Sequence, residues 1–176
     1  MLKSNFALDK LNNGQQVIGT WNVIPSPNVV DVICSSKLDF VVIDSEHGAV
    51  SFETAQMTAM VCESRGVSPI YRVGGVVEDQ ILRALDIGMH GIQVPNIRSV
   101  EEMKRLVELS KYPPLGRRGF SPYTRAGDYN KENSVRLITE ANTNTLLIVN
   151  VEDDFGLKNL DDIVAVDAVD VVFIGI

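Results

Sequence analysis

Asp44, Glu46 and His47 place three ionisable side chains within four residues, directly behind the apolar run Phe40-Val41-Val42-Ile43. A histidine titrates near neutral pH and can move a proton. Arg72 comes near the end of a second such run, Pro69 to Val73. Its guanidinium can grip a carboxylate with two parallel N–H donors and can stabilise a developing oxyanion. Glu152 directly follows a third run, Thr145 to Val151. With further oxygen ligands a glutamate can hold a hard divalent cation. Together Glu46, His47, Arg72 and Glu152 are the parts needed to make or break a C–C bond beside a carbonyl, with the resulting enolate held by the same charges. Plainer readings exist for each. Asp44 or Ser45 also suits a helix cap, Arg72 a structural ion pair, and Glu152 to Asp154 a solvated acidic turn.

The elements that must carry these groups alternate. Bulky, largely β-branched runs predict strands at 17–21, 40–43, 69–73, 91–95, 145–151 and 169–176, with a short one at 118–120. Helical spacing fills 28–35, 51–65, 78–87, 99–110, 133–142 and 157–164, and a short amphipathic helix before Gly14 opens the chain. Ser51 and Ser99 suit N-caps, and Gly66 and Gly88 suit helix stops. One strand and one helix about every 25–30 residues is the pattern of a parallel sheet with helical crossovers. A doubly wound open sheet shares that pattern but collects its polar groups at one switch point. Here they follow several different strands, no GxGxxG follows the first strand, and there is no P-loop. The fold class expected is therefore α/β, a TIM (β/α)8-type barrel, as one domain over 1–176. About seven of the eight strands are expected, with the barrel truncated before its last β/α unit, because ~250 residues is typical. The 112–130 stretch, rich in Gly, Pro and Arg, reads as a long functional loop.

Composition excludes several functions. With 45% apolar and 22% charged residues among 176, this is an ordinary globular chain. A net charge of −7 argues against a nucleic-acid partner. No apolar run approaches the roughly 20 residues that span a bilayer, and the N-terminus lacks a signal-peptide core. Cys34 and Cys62 have neither metal-site nor disulfide spacing, so buried free thiols in a reducing cytoplasm are expected. His90 reads as a turn residue, and Glu101, Glu102, Asp161 and Asp162 as charges at helix starts.

Several motifs in one order resemble a known family. They are GTW at 19–21, IDSEHG at 43–48, YRV around Arg72, LDIG around Asp86, GIQVP at 91–95, YPPLGRRG at 112–119, the Val151-Glu152 pair and the final FIGI. From Leu11 to Ile176 the chain is similar to the HpcH/HpaI family, metal-dependent class II aldolases acting on 2-oxo acids. The resemblance implies a carbon–carbon lyase that cleaves or forms 4-hydroxy-2-oxo acids through a pyruvate enolate. His47 matches the catalytic base, acting through a water and paired with the aspartate matched by Asp86. Arg72 matches the residue on the pyruvate carbonyl. Glu152 matches a ligand of a divalent metal (Mg, Mn or Co), and Glu46 the carboxylate on metal-bound water. Gly175, Asn150 and Trp21 fall at substrate-contacting positions, and Arg118 and Arg125 in the loop expected to shape the mouth. Partners implied are a 2-oxo acid and an aldehyde, in a cytoplasmic homo-oligomer without membrane contact. Two departures stand out. Asn150 occupies a position where relatives often carry Gln, and the family's second metal aspartate falls just past Ile176. A condensing synthase, a thioester lyase and a non-catalytic truncated barrel are the alternatives.

Overall fold

A computed structural model of the chain describes residues 4–175. Six strands, β1 (Gly19–Asn22), β2 (Phe40–Asp44), β3 (Ser68–Arg72), β4 (Gly91–Val94), β5 (Leu146–Val151) and β6 (Val171–Ile174), form one sheet. Every neighbouring pair is parallel and the spatial order is the chain order, β1 through β6. Eight helices alternate with them: α1 (Phe6–Asn12), α2 (Pro27–Cys34), α3 (Phe52–Ser64), α4 (Glu78–Asp86), α5 (Val100–Ser110), α6 (Ser134–Asn144), α7 (Asp154–Lys158) and α8 (Leu160–Val164). A sheet wound in one direction has no switch point, which rules out the doubly wound alternative.

The sheet is curled. Trp21 on β1 and Phe173 on β6 belong to its outermost strands, yet their rings meet edge to face with centroids 5.0 Å apart. In a flat sheet those strands would lie about 24 Å apart, five spacings of roughly 4.8 Å. The architecture is a parallel half-barrel of the (β/α)8 type. Alternation then sorts the side chains. Val41, Ile43, Tyr71, Ile92, Leu147 and Val149 face outward and pack with Val30, Ala59, Ile81 and Leu106 of the helices. Val42, Ile70, Leu146 and Ile148 face inward and form a smaller core with Leu8 of α1. That helix closes the N-terminal end of the strands, where Asn5 Nδ2 donates to the carbonyls of His90 and Asn144, both at 2.8 Å.

The expected caps are present. Ser51 Oγ accepts the Thr54 N–H at 3.1 Å, Ser99 Oγ accepts that of Glu102 at 3.2 Å, and Gly66 ends α3 at φ 72°. Cys34 and Cys62 are buried free thiols, their sulfurs 3.8 Å apart where α2 packs on α3.

Two expectations need correction. Among the described residues there are six strands rather than seven. The 118–120 stretch is not one of them, because β4 pairs directly with β5 and leaves no slot in the ladder. Arg118 instead donates its backbone N–H to Lys111 O at 3.0 Å and stacks its guanidinium over Tyr112. The helix expected over 157–164 is two short helices that meet at Asn159.

Candidate active site

Register places the polar residues. Asp44, Arg72 and Gln93 are successive Cα partners across β2, β3 and β4, so their side chains leave the same, inward face. Asn150 shares that face one step further along β5, and Glu152 follows the strand's end. Asp44 (2% exposed), Gln93 (1%) and Asn150 (0%) are buried, while Arg72 and Glu152 are half-buried.

The Arg72 fork closes on Asp44, with Nε donating to Oδ1 at 2.9 Å and Nη2 to Oδ2 at 2.7 Å. Glu46 Oε2 stands 3.3 Å from the same Nε. Asp44 Oδ1 also accepts the backbone N–H groups of Glu46 (3.0 Å) and His47 (3.2 Å). One carboxylate thus aims the arginine and folds the turn that presents the histidine. Burial works against the Asp44 charge, but the Arg72 fork and the two N–H donors outweigh it and hold the carboxyl below its ordinary value. Burial likewise works against Arg72, and Asp44, Glu46 and Glu152 together outweigh it and push the guanidinium up. Since the Asp44 carboxyl is depressed in the fold, its stabilisation is complete above the unfolded value near 4 and is lost as pH falls through the lower folded value. Acid titration followed by circular dichroism should therefore show Asp44→Asn losing less stability between pH 5 and about 2 than the parent chain does.

His47 is the accessible member. Its side chain is 67% exposed and Nε2 lies 3.8 Å from Glu46 Oε2, beyond hydrogen-bond range, so the ring is open to a molecule in the mouth. Glu152 is fixed by two donors, Asn150 Nδ2 to Oε1 at 2.8 Å and the Asn96 N–H to Oε2 at 3.1 Å. Gly175 closes beside it, donating to Val151 O at 3.1 Å, and a Cβ at that position would come within 2.9 Å of Glu152 Cγ.

Asp86 does not join this group. It ends α4, which runs antiparallel to the strands and carries it to their N-terminal end, where Arg118 Nη2 donates to it at 2.7 Å. The expected pair with His47 is not formed within the chain. Arg118 and Arg125 are also away from the mouth, because the 112–130 loop packs under the same N-terminal end. There Arg125 pairs with Glu63, and Ala126 N–H donates to Asp86 O at 3.1 Å. His90 is a buried structural residue whose ring nitrogens lie 3.3 Å from Ser68 Oγ and 3.2 Å from Glu63 Oε1. Trp21 faces inward one layer below Asp44, in register with Val42. Gln93 and the Asn96 N–H are the members that the motifs did not assign. A lone amide on the inward phase of Gly91-Ile92-Gln93-Val94 was the available signal for the first.

No group of three His, Cys, Asp or Glu side chains suited to a metal occurs among the described residues. Glu152 and Glu46 remain the available carboxylates. Among the described residues each Glu152 oxygen accepts one hydrogen bond, which leaves it capacity for another, and Gly175 brings no side chain against the carboxylate. Such a donor set fits a hard cation that retains waters, takes one or two carboxylates and completes its shell with substrate oxygens.

Ionisable groups gathered at the C-terminal rim of a parallel β/α barrel define the chain's class as a barrel with the arrangement used by enzymes. The chain belongs to the HpcH/HpaI aldolase/citrate lyase family, which it matches over residues 18–176. It is 32% identical to the hydroxypyruvate/pyruvate aldolase of Deinococcus radiodurans, over 98% of this chain and 62% of that one. The 5-keto-4-deoxy-D-glucarate aldolase of Salmonella paratyphi A is 33% identical over 92% of this chain and 62% of that protein. Among solved structures, an HpcH/HpaI aldolase from Desulfitobacterium hafniense superposes with a TM-score of 0.90 at 33% identity, covering 97% of this chain and 66% of the other. The citrate synthase SbnG superposes at 0.86 with 34% identity, covering 97% and 65%. The chain thus spans about three fifths of the curated relatives' length.

Proposed function

We propose that this chain carries the site of a divalent-metal-dependent aldolase that cleaves or forms 4-hydroxy-2-oxo acids through a pyruvate enolate. The observation that supports this best is the Arg72 guanidinium, locked by Asp44 on the inner face, with Glu46 and Glu152 adding to the field around it. A bound cation, held by Glu152 with Glu46 on its water shell, would polarise the 2-oxo carbonyl and offset enolate charge. Arg72 offers N–H donors to that carbonyl oxygen, where negative charge grows as the bond breaks. The backbone at Gly175, with Asn150 and Trp21, contacts the rest of the 2-oxo acid. In the cleavage direction His47, through a water, takes the proton of the C4 hydroxyl. The C3–C4 bond breaks, C4 leaves as an aldehyde and the electron pair enters the enolate. His47 then returns the proton to C3, giving pyruvate. In this reading His47 works without a same-chain Asp86 partner.

The similarity to a citrate synthase supports a second reading, in which the enolate attacks an oxo acid rather than an aldehyde. Product analysis separates the two. We also infer, from the family resemblance, a cytoplasmic protein that self-associates. No helix among the described residues is long and apolar enough to cross a membrane.

Pyruvate release from a 4-hydroxy-2-oxo acid, with Mn or Mg added and then removed by chelation, tests the reading. Release that requires the cation is expected, and release indifferent to chelator would overturn it. Arg72→Lys keeps the charge but loses the planar fork. Turnover is expected to fall roughly 10²-fold at saturating substrate. A change confined to KM would make Arg72 a binding residue only.

A further inference from the structure

We propose that Gln93 is a positioning residue of this site, holding Asn150 so that Asn150 in turn aims the Glu152 carboxylate at its cation. This rests on the function proposed above. Gln93 Nε2 donates to Asn150 Oδ1 at 2.7 Å, and Asn150 Nδ2 donates to Glu152 Oε1 at 2.8 Å. The direction of this relay is fixed by its last member. A carboxylate only accepts, so Asn150 must turn its NH2 toward Glu152. Its oxygen then faces Gln93, and Gln93 must offer its own NH2. Flipping either amide sets oxygen against oxygen or NH2 against NH2, so the usual ambiguity of amide orientation does not arise.

The cost of that direction is visible. Among the described residues Gln93 Oε1, a fully buried acceptor on a residue only 1% exposed, has no hydrogen-bond partner. Such a group weakens a fold. In its own layer Gln93 lies between Arg72 on β3 and Ile148 on β5, and the inward layer beneath it, Val42, Ile70 and Leu146, is apolar. The amide at 93 has half its capacity unmet, and the half that is met goes to Asn150. A group that stability disfavours, aligned in register beside Arg72 and linked through one amide to Glu152, is placed for the site. The Asn150 amide reaches Glu152 only two residues along the chain, and Gln93 supplies the support from the neighbouring strand.

The test is Gln93→Leu, with Gln93→Met as a second variant of similar length should the first fail to fold. Three quantities are read on the 176-residue chain: Mn affinity by titration, melting temperature, and the side-chain amide resonances of Asn150. Both variants are expected to bind Mn at least tenfold more weakly. Their melting temperatures should stay close to the parent's, because the unmet Gln93 acceptor goes while the Asn150 oxygen is left unmet in its place. They should also lose the shifted, slowly exchanging Asn150 amide protons of the parent. An unchanged Mn constant overturns the proposal. So does a weakened one with Asn150 unaltered, since Gln93 would then act by another route. If the parent chain takes no Mn, the metal reading of the site fails. The relay is then judged on Asn150 alone, upheld if its amide loses order and overturned if it does not.

Discussion

Asp44→Ala should destabilise the fold by about 3–5 kcal/mol, the range for removing one partner of a buried ion pair. The pair is nearly dry, with side-chain exposures of 3% for Asp44 and 12% for Arg72. Removing the carboxylate strands a guanidinium in the barrel and frees the Glu46 and His47 N–H groups that it holds. The loss therefore exceeds that of an ordinary surface bridge, worth about 0–1 kcal/mol. Urea unfolding should show a lower midpoint at unchanged slope. An Asp44→Ala chain within about 1 kcal/mol of the parent would mean that water reaches Arg72 and that the inner face is not the low-dielectric layer described here.

His47→Ala should do the reverse, leaving the fold intact and removing the chemistry. The ring is exposed and makes no contact on which the sheet depends. Its loss should leave the melting temperature and Mn affinity unchanged. Proton transfer to and from the substrate should fall about 10²–10⁴-fold, the usual worth of a positioned acid–base group. The two outcomes must separate for the assignment to stand. Weaker metal binding with proton transfer preserved would make His47 a ligand rather than a base.

The sequence made the frame and half of the site legible for a physical reason. Fully buried parallel strands must be continuous apolar runs, so Phe40–Ile43 and Leu146–Val149 announce themselves, and the charges that follow them must lie on the rim. What could not be read were placements across helices and loops. Asp86 matched a motif, but a motif carries no information on which end of the barrel a helix terminus reaches, and α4 delivers it to the far end. Arg118 to Phe120 had strand-like residues yet no free partner, since β4 and β5 already shared their edges. Arg125 was drawn under the barrel by Glu63, a partner 62 residues away that no local pattern reveals. Gln93 was hidden by its surroundings, one polar residue inside an apolar run, meaningful only once register set it beside Arg72 and Asn150.

In the proposed function Arg72, His47 and Glu152 serve one enolate. Exchange of the pyruvate methyl protons in heavy water, followed by proton NMR with Mg added to the chain, tests this without needing to know the aldehyde. Metal-dependent exchange is expected in the parent chain, lowered about 10²–10⁴-fold by His47→Ala and strongly reduced by Arg72→Lys. Absence of exchange in the parent, or exchange that persists undiminished in both variants, would contradict it.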